Sequence, residues 1–112
     1  MRQGDIIAVA LPGDYGKPRP AVVIQSDAFE HLNSVTVLPL TSHVLSLERC
    51  RVVVNPNDRN GLQKVSQIMV EKASTVPRER AGQLIGRLSA EDIAAVNRAL
   101  ALFFGLSDNQ PD

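Results

Sequence analysis

An arginine enclosed by two prolines is the first place where this sequence could do chemistry. The segment, residues 17–20, follows a loop rich in glycine and proline and opens an apolar stretch. The prolines restrict the backbone on both sides of Arg19, so its guanidinium is held at the start of a predicted strand. A guanidinium held in this way suits the bidentate binding of a phosphate. A rigid loop with a solvated arginine is an equally weighted alternative.

A second segment places hydroxyl groups and an imidazole directly after a predicted strand. Thr41, Ser42 and His43 follow Pro39 and Leu40. Their polar groups could contact a substrate, although hydroxyls after a strand more often bond the backbone of their own turn. Local features alone therefore favour a simple turn at this position.

A third segment, residues 61–72, combines a predicted strand with polar side chains. Ser66 lies early in that strand, and Glu71 and Lys72 follow its end. Taken alone, this pattern indicates only a strand with a charged end.

The common signatures of other catalytic and metal sites are absent from the sequence. It has no glycine-rich phosphate loop, no paired-cysteine zinc spacing and no helical His-Glu-x-x-His pattern. Strand alternation places Cys50 on an apolar face, as a small core residue, and Arg49 and Arg51 on the other face. His31 and His43 are more typical of surface positions than of an acid–base pair.

The elements that must position these side chains are mostly strands. Apolar and β-branched runs bounded by glycine, proline and asparagine predict six of them. They cover residues 6–11, 20–25, 35–40, 49–54, 65–70 and 85–88. Short connections favour an antiparallel, partly rolled sheet over a parallel one. Pro39, late in the third strand, predicts an edge strand or a bulge.

Helical signals are concentrated at the C-terminus. Ser89 is a predicted N-cap, and apolar residues recur at helical spacing from Ile93 onward. Gly105 is the expected residue after the helix, with Leu106 packing back on it. A short helix is also predicted over 77–83, where a proline would occupy the first position.

Length and composition restrict the class of protein. The chain has 112 residues, the size of one domain, which we expect to cover residues 1–106 before a polar tail at 107–112. With 12 basic and 12 acidic side chains the net charge is zero, which excludes a polyanion binder with a wholly basic surface. Aromatic residues make up 4%, which argues against a single-strand reader built on rows of stacking rings. The short apolar runs and the single cysteine lead us to expect no membrane contact and a cytoplasmic location.

The zero charge balance hides an uneven distribution along the chain. Residues 1–48 carry a balance of −2, residues 49–87 carry +5, and residues 88–112 carry −3. The basic middle contains the strand and loops expected to border a substrate groove. A local positive groove is therefore compatible with a neutral chain.

In combination, these segments resemble the MazF/PemK (Kid) family of toxin–antitoxin toxins. The matching pattern runs in order over residues 2–106, and the ordered set is more specific than any one piece. The pieces are residues 4–7, 19–24, 26–29, 37–42, 61–62, 66, 75–76 and 85–89, followed by the C-terminal helix.

The resemblance implies a mainly β fold with α (α+β), in which a small barrel-like antiparallel sheet carries a packed C-terminal helix, and a homodimer. It also implies a metal-independent, sequence-selective endoribonuclease that cuts single-stranded RNA to 2′,3′-cyclic phosphate and 5′-hydroxyl ends. No cofactor is expected. The implied protein partner is a cognate antitoxin with a disordered acidic segment that folds over the RNA groove.

The resemblance also implies roles for single residues. Arg19 matches the family's catalytic arginine before proline, and Thr41 matches its catalytic threonine. Glu71 matches an acidic position and is expected to act as the base or to contact a base edge. The expected substrate contacts are Lys17, Ser42, His43, Ser66, Gln67 and Lys72.

Two alternatives accompany this interpretation. The related CcdB class shares the fold and poisons DNA gyrase through a helix followed by Trp-Gly-Ile. Here the helix ends in residues 104–106, Phe-Gly-Leu, and a glycine C-cap is enough to explain the triplet. CcdB-like proteins also lack the combination of Arg19 and Thr41. A catalytically inert relative is the second alternative.

Overall fold

The computed structural model describes residues 1–46 and 50–106. The expected tail at 107–112 and Arg49 lie outside these ranges. The described part contains seven strands and one α-helix: β1 (Asp5–Ala10), β2 (Pro18–Val23), β3 (Ser34–Thr41), β4 (Arg51–Val54), β5 (Ser66–Met69), β6 (Ser74–Pro77), β7 (Ala81–Arg87) and α1 (Ala90–Phe103). Single 3₁₀ turns lie at Asp27–Phe29, Val70–Lys72 and Arg78–Arg80.

The strands form one open antiparallel sheet in the order β4-β5-β3-β2-β1-β7. Strand β3 is the central strand. It pairs with β2 along one edge, and its other edge pairs with β6 in its first half and with β5 at its end. The expected antiparallel, mainly β fold with a terminal helix is confirmed.

Pro39 lies inside this central strand, opposite Ala21, so the prediction of an edge strand or a bulge is wrong. The hydrogen bond from the Ile24 amide to the Thr36 carbonyl, 3.1 Å, shows the phase of the β2–β3 ladder, that is, which alternate amides of each strand point toward the other strand. In that phase the amides of odd-numbered β3 residues face away from β2. The missing amide of Pro39 therefore faces the point where the neighbour changes from β6 to β5, where a ladder bond is least needed.

Two apolar clusters pack on opposite sides of the sheet, because successive residues of a strand face opposite ways. The first includes Ile6 and Val22 and is covered by α1, whose Val96 is buried in it. The helix contacts β4 and the turn at Val70–Lys72. The second cluster includes Ile7 and draws on β6 and β7 as well. Strands β2 and β3 contribute to both clusters and are thereby fixed in position.

Both ends of α1 follow the sequence signals. Ser89 Oγ accepts a hydrogen bond from the Asp92 amide at 3.1 Å, which confirms the predicted N-cap. Gly105 has φ +73°, and the Leu106 amide donates to the Ala101 carbonyl at 2.7 Å. These are the features of a Schellman helix end. The expected packing of Leu106 on the helix is wrong, since this residue is 78% exposed.

The helix predicted over 77–83 is also wrong. These residues form the end of β6, the turn Arg78–Arg80 and the start of β7. Strand β7 pairs with β1 over most of its length, and this long-range pairing overrides the local helical signal. Strand β6 was missed because it has four residues, of which Val76 alone is buried.

Candidate functional site

A cleft of about 340 Å³ opens where β2 begins and β3 ends. Its other walls come from the loop that precedes β5 and from β7. Both polar and apolar side chains line it, and the lining residues are Arg19, Pro20, Leu40, Thr41, Ser42, Gly61, Leu62, Gln63, Ser66 and Ile85.

The structure brings four of the expected site residues together in this cleft: Arg19, Thr41, Ser42 and Ser66. The other five lie outside its lining. Three of them have exposed side chains: Lys17, His43 and Lys72. The remaining two belong to an internal hydrogen-bond network: Gln67 and Glu71.

The cleft exists because the β2–β3 ladder stops early. Pairing ends at Ala21 and Pro39, although both strands continue. In the phase of this ladder the amides of even-numbered β2 residues face β3. Pro18 and Pro20 occupy these positions and have no N–H to donate. The two strands are therefore free to separate at this end of the sheet.

Continuing the register by two residues places Arg19 opposite Thr41 across the opening. The Arg19 side chain is 49% exposed, and the Asp14 carboxylate lies 3.9 Å from its Nε. A long, exposed ion pair of this kind contributes little to stability. The N–H donors of the guanidinium therefore remain accessible to an anionic ligand. Arg19 therefore lies on a strand and lines the cleft, with half of its side chain exposed.

The Thr41 hydroxyl is oriented by its own turn. The His43 amide donates to Thr41 Oγ1 at 3.0 Å, which is the turn hydrogen bond that the local sequence favours. That bond occupies a lone pair of the oxygen and leaves the hydroxyl proton free to be donated. The turn and a role in binding are therefore compatible.

A buried asparagine holds the cleft wall that is formed by the loop before β5. Asn60 is 0% exposed. Its Oδ1 accepts from the amides of Asn57 at 3.1 Å and Leu62 at 3.0 Å, and its Nδ2 donates to the Asn55 carbonyl at 2.8 Å. The loop segment 61–63, which lines the cleft, is thus held in place by the buried Asn60 side chain.

Gly61 follows this anchor in a left-handed conformation, with φ +70°. A Cβ atom there would lie 2.4 Å from the Ile85 carbonyl oxygen on β7. Only glycine fits both the dihedral angle and the close approach. The Asn-Gly pair that marks a turn in the sequence therefore fixes the distance between the loop and β7.

Next to Ser66 on β5, Gln67 joins a buried network. The Arg51 guanidinium donates to Glu71 Oε2 through Nη2 at 2.7 Å and through Nε at 3.0 Å. Its Nη1 donates to Gln67 Oε1 at 3.3 Å. The side chain of Arg51 is only 6% exposed, so other segments cover this face of β4 at Arg51. A buried guanidinium needs these acceptors, since an unpaired buried charge is costly.

The surroundings of Glu71 affect its protonation. Burial is the largest influence and acts to raise its pKa, but hydrogen bonds from Arg51 and the backbone and the charges of Arg51 and Lys72 outweigh it, so the pKa lies below its usual value. A carboxylate stabilised in this way is ionised near neutral pH and is a weak proton acceptor.

Several residues that build this site have no signal in the sequence that marks them as site residues. The wall residues Leu62 and Ile85 carry no local chemical signal. Asn60 was part of a turn signal but not a predicted anchor. Arg51 pairs with Glu71, 20 residues away in the sequence, and a partnership over that distance has no local signature.

Some other groups bear on the chemistry that the chain could support. Within residues 1–46 and 50–106, no three His, Cys, Asp or Glu side chains lie close enough together to hold a metal ion. In the same part of the chain, every helix is too short or too polar to cross a membrane. Cys50 is a free thiol that precedes β4 and is half-buried, rather than the core residue expected from the sequence.

The model of one protein family, described as PemK-like, MazF-like toxin of type II toxin-antitoxin system, matches residues 2–104. The chain belongs to this family. Among curated family relatives, a probable endoribonuclease MazF of Mycolicibacterium smegmatis is 41% identical over 108 residues, covering 96% of this chain and 99% of the relative. The endoribonuclease MazF9 of Mycobacterium tuberculosis is 30% identical over 116 residues, with 95% and 98% covered.

Solved structures of the family share the fold. The Mycobacterium tuberculosis toxin MazF-mt6 superposes with a TM-score of 0.79 at 30% identity, covering 92% of this chain and 98% of the toxin. An endoribonuclease in complex with its cognate antitoxin, from a mycobacterial species, superposes with a TM-score of 0.82 at 19% identity, with 96% and 97% covered. The second likeness concerns the fold alone.

Proposed function

We propose that this family member is the toxin of a type II toxin–antitoxin pair and a sequence-selective endoribonuclease that cleaves single-stranded RNA, mRNA in the cell, without a metal ion. The observation that carries the proposal is the position of Arg19 and Thr41, opposite each other across the gap between β2 and β3. The names of the two curated relatives, both endoribonucleases, support it.

The proposed reaction uses a nucleophile that the substrate carries. The 2′-hydroxyl oxygen attacks the adjacent phosphorus as its proton passes to solvent, the bond from phosphorus to the 5′ oxygen breaks, and that oxygen takes up a proton from solvent. The products are a 2′,3′-cyclic phosphate and a 5′-hydroxyl, so no metal-bound water is consumed. DNA lacks the 2′-hydroxyl and is not a substrate. What the protein must supply is orientation and stabilisation of the charge on the five-coordinate phosphorus.

Arg19 and Thr41 divide this task. The Arg19 guanidinium binds two phosphate oxygens through its fork of N–H donors. It does not act as the base, because a guanidinium stays protonated in proteins. The Thr41 hydroxyl donates a hydrogen bond to a phosphate oxygen or to the departing 5′ oxygen, since the His43 amide already occupies one of its two lone pairs.

The other expected residues take supporting positions in this proposal. Ser42 lines the cleft, and Ser66 Oγ, which donates to the Lys64 carbonyl at 3.0 Å, presents a lone pair to a substrate donor. Exposed side chains extend the substrate surface beyond the cleft: Lys17, His43 and Lys72. Glu71 is assigned no proton transfer, because its carboxylate lies outside the cleft lining and accepts from a buried arginine.

The proposal includes partners and a location. A disordered acidic segment of a cognate antitoxin would complement the basic middle of the chain, where residues 49–87 carry a balance of +5. An antitoxin complex of a mycobacterial endoribonuclease with this fold agrees with such a partner. We extend the proposal to a homodimer of the domain at residues 1–106 and to the cytoplasm, where mRNA is found.

The decisive experiment is cleavage of a long RNA in EDTA, with the ends mapped chemically. Wild-type protein should cut at a limited set of sequences and leave cyclic phosphate ends. Arg19→Ala and Thr41→Val should each lower the rate by about 100- to 1,000-fold, the loss typical of a missing donor at the reacting group. Arg98→Ala, an exposed arginine on α1, is the matched control and should cleave like wild type.

Two outcomes separate the alternatives. Inhibition of gyrase supercoiling without RNA cleavage would replace the ribonuclease with a CcdB-like gyrase poison. Absence of both activities in folded protein would identify an inert relative. Cleavage that persists in Arg19→Ala would contradict the assigned mechanism, even if the chain is a ribonuclease.

A further inference from the structure

The side-chain amide of Gln67 closes the turn that follows β3. Its Nε2 donates to the Leu45 carbonyl at 2.6 Å, and its Oε1 accepts from the Leu45 amide at 3.0 Å. Gln67 also pairs in register with Thr41 on β3. The side chain therefore fastens the chain four residues after Thr41 back onto the strand beside Thr41. The turn 41–45 is held at both ends.

Arg51 and Glu71 fix the orientation of that amide. The Gln67 oxygen receives a second hydrogen bond from Arg51 Nη1 at 3.3 Å, and Arg51 is itself held by Glu71. A reversed amide would direct its NH₂ group at the guanidinium and at the Leu45 amide, which are both donors. Gln67 is 3% exposed, so water cannot easily replace these partners.

Resting on the function proposed above, we infer that Gln67 is a positioning residue for the Thr41 hydroxyl. Gln67 fixes the turn, the turn fixes the His43 amide, and that amide holds the Thr41 oxygen at 3.0 Å. Without the clamp the amide leaves Thr41 Oγ1, and the hydroxyl turns away from the phosphate. Gln67 thus acts on catalysis through Thr41 and not through contact with RNA.

A double-mutant cycle on RNA cleavage tests this inference. Gln67→Met keeps the volume of the side chain and removes the clamp. It should lower kcat by about 10-fold, as expected for a displaced catalytic group, with KM for RNA changed by less than about twofold. In the Thr41→Val background, the same substitution should change kcat by less than about twofold, because the hydroxyl it positions is already gone.

Equal losses of kcat from Gln67→Met in both backgrounds would overturn the inference, as would unchanged kcat in the single variant. A loss confined to KM would instead show a contact with RNA. The matched control is Gln25→Met, since the Gln25 amide also bridges two backbone groups, the Phe29 carbonyl and the Thr36 amide. It should leave kcat unchanged.

A second variant covers the case in which Gln67→Met does not fold. Gln67→Glu keeps an acceptor for Arg51 and for the Leu45 amide, loses the donation to the Leu45 carbonyl, and adds a negative charge beside the Arg51 guanidinium. It should show a smaller loss of kcat that again disappears in the Thr41→Val background. Failure of both variants to fold would overturn the inference, because it requires a role separable from stability. If wild-type protein cleaves no RNA at all, the proposed function fails instead.

Discussion

Replacing Asn60 with alanine should lower the free energy of unfolding by about 3 kcal/mol, because its amide makes three hydrogen bonds worth about 1 kcal/mol each. The carbonyl of Asn55 and the amides of Asn57 and Leu62 lose their partner. The side chain is fully buried, so its removal also leaves a cavity. A domain of ordinary stability, about 5–15 kcal/mol, stays folded after such a loss.

The loss is measured by urea unfolding, where it should move the midpoint down by about 1–3 M at an ordinary slope for a small domain. Cleavage of RNA by the folded variant should also slow, since the wall at 61–63 is released. Asn57→Ala is the control. It removes two hydrogen bonds, an exposed one from the Arg59 amide and a part-buried one from the Asn60 amide, but the Asn57 side chain itself is exposed, so its removal leaves no buried cavity. A loss in Asn60→Ala no larger than in Asn57→Ala would refute the role given to burial.

Two further predictions concern the site's supports. The pKa of Glu71 is lowered in the folded protein from its usual value of 4.5, so its contribution to stability is present above that value and is lost as pH falls through the folded pKa. The stability difference between wild type and Glu71→Gln in urea should therefore shrink from about pH 7 to about pH 3, and a constant difference would contradict this. Gly86→Ala would place a Cβ 2.3 Å from the Asn60 carbonyl group, so we expect about 1–3 kcal/mol of destabilisation and slower cleavage; unchanged urea midpoint and rate would show that the loop is not in close contact with β7.

The position of Arg19 opposite Thr41 could have been predicted from the sequence. Two adjacent antiparallel strands, one beginning with Arg19 and the other ending at Thr41, bring those ends to one edge of a sheet. The turn bond of Thr41 was also predicted, because hydroxyls after strands commonly accept a backbone amide. The cap at Ser89 and the helix end at Gly105 are equally local, and the structure confirms both.

What the sequence did not reveal depends on distant partners. The burial of Arg51 requires Glu71 and Gln67 from other elements. Pro77 pairs with β3 and Ala81 pairs with β1, against the helical signal of the segment 77–83. Alternation along β4 predicted which way Arg51 points but not that other segments cover it. These contacts between distant segments form only when the chain folds, so no local sequence pattern predicts them.

The prolines at 18 and 20 also limit how far this domain could be stabilised. In the register of β2 and β3, Pro20 omits a ladder hydrogen bond to Leu40, worth about 1 kcal/mol, and Pro18 prevents the ladder from extending to Ser42. Any residue with an amide at these positions could add such a bond and draw the strands together over the space that the substrate needs. Replacing either proline should therefore raise thermal stability and lower activity together. This trade-off follows from the missing N–H of proline.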